Sequence, residues 1–217
     1  IEVDRAIFTF RLGAEECSRI YGEVLPLDLL PGSENKTGIV RRFPIGLILG
    51  ITPWNFPVNL AAHKISPALA SGNVIMIKPS SSSMLTAIAL GRIVVDACKE
   101  LGITLIPLNI LPISGSKMDT HISDSRIKLI SFTGSGDVGW GIKKKSDRQK
   151  VSLELGGNAG VIVNYDADID SAVAKITIGG FSQAGQSCIS VQRVYIHRNI
   201  HEEFRKRLIA ATKKMKI

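Results

Sequence analysis

The run IKLISF (127–132) passes without a break into FTGSGDVG (132–139) and then into a helix-like segment ending at KKK (143–145). A strand of consecutive apolar residues leaves no side for solvent. It belongs in a sheet covered on both faces, and such sheets are usually parallel. The pattern recurs in both directions along the chain. IGLILGI (45–51), VIMIK (74–78), VSLEL (151–155), AGVIV (159–163) and VQRVYI (191–196) read as further strands. Helical periodicity fills the intervals at 58–70, 84–101, 138–145, 169–181 and 200–215, with Gly102 as the stop of the second. Strands alternating with helices predict an α/β fold.

In such sheets ligands bind beyond the carboxyl ends of the strands. Four exits there are unlike ordinary connectors: GITPWNFP, KPSSSS, FTGSGDVG and ELGG. The third holds a G-x-G-x-x-G, whose glycines let backbone N–H groups approach a pyrophosphate at a helix N-terminus, or simply serve a tight turn. An acidic residue at the end of the following strand is where a ribose ligand belongs, and Glu154 occupies it. Glu154 reads equally as a general base or as a structural carboxylate. Lys78 with the serines that follow suits both a helix cap and a ribose or phosphate site. Asn55, between Pro53 and Pro57, is either a plain turn residue or a rigid side-chain donor of the kind an oxyanion requires.

Three cysteines at wide spacing do not make a disulfide framework and suit a reducing, cytoplasmic setting. Cys98 follows helical periodicity and reads as core, as does Cys17. Cys188 instead lies in FSQAGQSCIS (181–190), among Gly, Gln and Ser. There it is either an accessible, activated thiolate or a small residue buried in a turn.

Other classes are disfavoured. The net charge of +8 is spread over separate basic runs without aromatic interleaving, which reads as solvated surface and not as a nucleic-acid site. No apolar run reaches the roughly 18 residues of a membrane span. The four histidines show no metal-ligand spacing, so no metal is expected, and no G-x-S-x-G elbow is present. The chain starts without Met inside a helical pattern and ends at KKMKI without a cap signal, as a piece of a longer chain would. LPLDLLPGSENKTGIVRRFP (25–44) reads as an outlying hairpin.

Taken in order, PWNFP, KPSS, FTGSGDVG, LELGGN and AGQSC resemble the aldehyde dehydrogenase superfamily over nearly the whole chain. The resemblance implies a Rossmann-like parallel sheet with helices on both faces. It implies an NAD(P)-binding domain over 1–187, with its arm near 22–44, and the beginning of a catalytic domain over 188–217. It matches Cys188 to the nucleophile, Glu154 to the general base and Asn55 to the oxyanion donor. It sets Ile51, Thr52, Pro53, Trp54, Lys78, Ser81, Gly134, Ser135, Val138 and Leu155 along NAD or NADP. Many NAD-preferring relatives carry glutamate at the position of Ser81, and a serine there lifts a repulsion against a 2′-phosphate. The implied activity is oxidation of an aldehyde, semialdehydes included, to an acid by a homo-oligomeric enzyme. A CoA-acylating enzyme and an inactive nucleotide-binding fragment are the alternatives.

Overall fold

In the computed structural model, which describes residues 1–216, five parallel strands form one sheet in the order β5-β4-β3-β6-β7. These are β3 (Leu47–Ile51), β4 (Val74–Lys78), β5 (Leu108–Ile110), β6 (Ile127–Thr133) and β7 (Lys150–Glu154). The chain moves outward from β3 through β4 to β5, then returns to the other side of β3 and continues through β6 to β7. Right-handed crossovers therefore set α2 (Asn59–Ala70) and α3 (Met84–Glu100) on one face. They set the short α4 (Asp119–Ile122) and α5 (Gly136–Lys145) on the other. This is the doubly covered sheet that the continuous apolar runs predict.

The core follows from those runs. Ile48, Ile75, Ile77 and Leu108 of the strands pack with Ala61, Ile65 and Ala68 of α2 and Leu90 of α3. The basic runs lie at the surface, where Lys145 pairs with Asp119, Arg205 with Glu202, and Arg207 with Asp170 and Glu203. The expected hairpin is present as β1 (Glu23–Pro26) paired antiparallel with β2 (Thr37–Val40).

Two expectations are corrected. The runs at 159–163 and 191–196 are strands, but β8 (Ala159–Val163) and β9 (Val191–Ile196) form their own two-stranded parallel sheet. With α6 (Ile169–Phe181) and α7 (His201–Lys213) they enclose a separate core of Val163, Val173, Ile176 and Phe204. The compact units accordingly divide at Glu154/Leu155 and not at 187/188, a boundary that would cut β9 away from its partner β8. Edge strand β5 was not anticipated, because three residues containing an Asn between prolines carry too little periodicity. Among the described residues, one helix, Ser81–Glu100, is long and apolar enough on average to cross a membrane, but Arg92 and Asp96 break its apolar run. Here Ala87, Leu90 and Cys98 of that helix are buried within the protein.

Helix α1 (Glu2–Glu16) lies along α2, so closely that a β-carbon on Gly13 would meet the Ser66 hydroxyl at 2.0 Å. The same hydroxyl donates to the Thr9 carbonyl at 2.9 Å. At the start of α2, Val58 offers no side-chain cap. The Glu2 carboxylate takes its place, accepting from the Val58 and Asn59 amides at 2.7 and 3.0 Å. A carboxylate there satisfies open N–H groups and complements the helix dipole. Glu2→Ala should lower the stability of the chain to urea by about 1 kcal/mol, with Glu2→Gln recovering part of the loss. An unchanged urea midpoint would show that the cap contributes nothing.

Candidate active site

Strand register brings the four unusual exits to one edge of the first unit. Ile51 pairs with Lys78 on one side and with Phe132 on the other, and Thr133 pairs with Glu154. Strands β3, β4, β6 and β7 thus end nearly level. Between β3 and β6 the direction of winding reverses, the switch point at which open α/β sheets place their ligands.

From β3, Ile51 and Thr52 are buried, and the Thr52 amide donates to the Lys78 carbonyl at 3.1 Å. That bond continues the ladder one step past the strand and fixes the direction in which Pro53, Trp54 and Asn55 leave it. Pro53 and Asn55 are half-buried, and Trp54 is exposed. From β4, Lys78 is buried, and burial pushes its ammonium below the ordinary lysine range. Ser81 is exposed at the start of a single 3-10 turn, Ser81–Ser83, and puts no carboxylate at its position. From β6, the Gly134 amide donates to the Glu154 carbonyl at 3.0 Å. A β-carbon on Gly134 would lie 2.5 Å from the Phe132 ring, so a side chain here would have to displace that buried ring. Ser135 precedes α5 in extended conformation, while Val138 is exposed on its first turn and Gly136 faces open space. A sheet edge that carries a helix N-terminus, small residues and a lysine suits a pyrophosphate. Glu154 is exposed at the end of β7.

The second unit carries Leu155, half-buried, and Cys188, exposed in the turn between α6 and β9. The expectation that Cys98 is core holds. Cys17 corrects it, being exposed past the end of α1 with its thiol donating to the Gly13 carbonyl. The approach to Cys188 is conformationally unusual. Gln183 and Ala184 both have φ of 54°, and Gly185 follows at 72°. For a non-glycine residue the left-handed region costs about 1–2 kcal/mol. The surrounding structure must hold the turn against that tendency.

Lys64 was not singled out in the sequence, where it looks like one polar residue of an amphipathic helix. It is buried between α2 and the sheet, and its ammonium donates to the Ser131 hydroxyl at 2.9 Å. Burial lowers its pKa to about 8, against the opposing pull of the Glu154 charge. His63 is also held below its ordinary range, first by desolvation and then by Arg5 and Lys64. A cleft of about 960 Å³ between α1 and α2 is lined by Arg5, Asn59 and His63 among others. One signal was available, since α2 starts four residues after Asn55 and carries whatever faces the PWNFP exit.

Between pH 8 and 10.5 the unfolded chain binds the Lys64 proton more tightly than the folded one, so this group's cost to stability disappears as pH rises through that window. Lys64→Met should stabilise the chain at pH 7 by about 1–3 kcal/mol, the upper figure being the full shift and the lower allowing for the lost Ser131 bond. The gain should vanish above pH 10.5, and urea midpoints at both pH values would check it. A pH-independent difference would rule out a buried charge at Lys64.

The profile of the aldehyde dehydrogenase family matches residues 1–217. A 3-sulfolactaldehyde dehydrogenase of Priestia aryabhattai is 40% identical over 215 residues, covering 99% of this chain and 44% of that protein. The structure of aldehyde dehydrogenase 21 from Physcomitrella patens in complex with the reaction product succinate matches with TM-score 0.92 and 44% identity, over 99% of this chain and 44% of that one. A glyceraldehyde-3-phosphate dehydrogenase from Methanocaldococcus jannaschii complexed with NADP matches with TM-score 0.93 and 39% identity, over 99% of this chain and 46% of that one. The chain therefore spans less than half the length of each. With the family profile matched from end to end and the sheet shared with these structures, the chain belongs to the aldehyde dehydrogenase family.

Proposed function

We propose that the protein carrying this chain oxidises a short aldehyde to its carboxylic acid with NAD or NADP, using Cys188 as nucleophile. The observation that carries this reading is the level ending of four strands, which collects Asn55, Lys78, Ser135 and Glu154 at one switch point. Membership of the family makes aldehyde oxidation the chemistry to expect there.

In this reading the Cys188 thiolate attacks the aldehyde carbon, and the Asn55 amide and the Cys188 N–H hold the oxyanion of the thiohemiacetal. When bound, the dinucleotide accepts the hydride given up as the thiohemiacetal becomes a thioester. Glu154 then takes a proton from water, which attacks the thioester carbon and releases the acid and the Cys188 thiolate. The presence of Glu154 favours water over CoA as acyl acceptor, and a product assay with and without CoA separates the two. Lys78 and the first turn of α5 would hold the pyrophosphate, with Ile51, Thr52, Pro53, Trp54, Val138 and Leu155 along the rest of the cofactor. Ser81 leaves room for the 2′-phosphate of NADP, the cofactor of the Methanocaldococcus relative.

The named relatives share an anionic group at the far end of a short molecule: a sulfonate, a phosphate, or the second carboxylate of succinate. Arg5 lies in the cleft beside α2 and offers such an end a cationic partner, with the neutral His63 ring beside it as a hydrogen-bonding group. Self-association is proposed for the β1-β2 hairpin, where Val24, Leu25, Ile39 and Val40 are exposed together.

In the complete polypeptide, Cys188→Ala should lower turnover by about 10⁴-fold or more with dinucleotide affinity near that of the parent. Glu154→Gln should keep the first burst of reduced cofactor and slow the steady state. Persistent turnover in Cys188→Ala sinks the nucleophile reading, and loss of dinucleotide binding in Glu154→Gln makes that residue a ribose ligand instead. Ser81→Glu should shift preference from NADP towards NAD by about tenfold or more. An unchanged ratio of kcat/KM for the two cofactors would detach Ser81 from that choice.

A further inference from the structure

Ser190 is a serine at the end of a surface turn, yet only 2% of it is exposed. Its hydroxyl donates to the Gly180 carbonyl at 3.0 Å, next to the last residue of α6. Carbonyls at a helix end have no partner inside the helix, so this bond satisfies one such group and joins the two ends of the loop. The turn between them folds back onto the same point. A β-carbon on Gly185 would lie 3.2 Å from the Gly180 oxygen and 3.9 Å from the Ser190 hydroxyl. Inside the loop, the Gln186 amide donates to the Gln183 carbonyl, and the Ser190 amide to the Ser187 carbonyl. Behind it, a β-carbon on Gly157 would come within 2.8 Å of the Cys188 carbonyl oxygen, so the peptide backs closely against the chain that follows β7.

We propose that Ser190 is a positioning residue for Cys188, its buried hydroxyl bond closing a loop that the left-handed residues Gln183 and Ala184 would otherwise tend to open. The proposal rests on Cys188 as the nucleophile for its meaning in catalysis, but the clamp itself is a property of the loop. Ser190 acts through the backbone and does not touch the reacting atoms. Replacing its hydroxyl with hydrogen deletes the bond with little change of volume. Glycine at 184 would remove the opposing tendency, because it adopts the left-handed region without steric cost. The two substitutions should act in opposite directions.

The test combines hydrogen exchange of residues 182–190 with iodoacetamide alkylation of Cys188, read by peptide mass spectrometry with exposed Cys17 as internal reference. In the complete polypeptide, Ser190→Ala should raise exchange in that loop about fivefold while β9 and α7 keep the parent rates. Cys188 alkylation should slow by a similar factor, because a loosened thiol spends less time presented outward, and Cys17 should not change. Ala184→Gly should slow loop exchange by itself and restore part of both effects in the double variant. Unchanged loop exchange in Ser190→Ala, or faster exchange with Cys188 alkylation untouched, overturns the proposal. Unchanged exchange in Ala184→Gly overturns it as well, even where Ser190→Ala folds poorly. Turnover surviving Cys188→Ala would instead remove the nucleophile reading, while leaving the exchange result to judge the clamp.

Discussion

Parallel register is the constraint on which the first unit depends. Hydrogen bonding between β4, β3, β6 and β7 sets their last residues level, and everything of chemical interest in that unit leaves from those residues. A shift of one residue in any strand would turn each of its side chains to the other face and withdraw its loop from the edge. The continuous apolar content of the strands provides the driving force, since both faces are covered and little of the sheet can be left in water. The reversal of winding between β3 and β6 then puts the switch point at this same edge.

Against this apolar background the polar groups stand out by what they cost. Lys64 and Lys78 are both buried lysines with ammonium groups pushed below their ordinary range, in a protein with ample surface for basic residues. Desolvating two cations is unfavourable, and the gain for folding from the single Lys64–Ser131 bond is small. Under the proposed function their low-polarity surroundings would strengthen attraction to an anionic cofactor or substrate. The left-handed residues Gln183 and Ala184 before Cys188 are likewise a local cost that the surrounding structure must offset.

Most of the fold could be read from periodicity, with strand and helix positions recovered to within a few residues in most cases. The misses have definite causes. β5 is three residues long and carries an Asn, which is too little pattern to register. The runs that became β8 and β9 look like the other strands, because a strand's own residues do not say which sheet it joins. Partner choice depends on the helices that cover it, and α6 and α7 close a core around this pair alone. That also moved the unit boundary to Glu154/Leu155. Cys17 misled because its helical spacing continues past the point where α1 ends against solvent.

Taken alone, the amino-acid sequence determined the alternation of strands and helices and the chemical character of each strand exit, because both are written in residue types at short range. For Asn55, Glu154 and Cys188 the immediate neighbours left a structural and a functional reading open, and only the family resemblance assigned roles. The tertiary structure alone decided which of those exits share an edge, which lysine is stripped of water, and which serine closes the thiol loop. Those outcomes come from pairings between residues far apart in order, such as Lys64 with Ser131, and from bonds like that of Ser190 with Gly180, which depend on the course of the backbone between them. Such contacts form only when burial and register have been satisfied together.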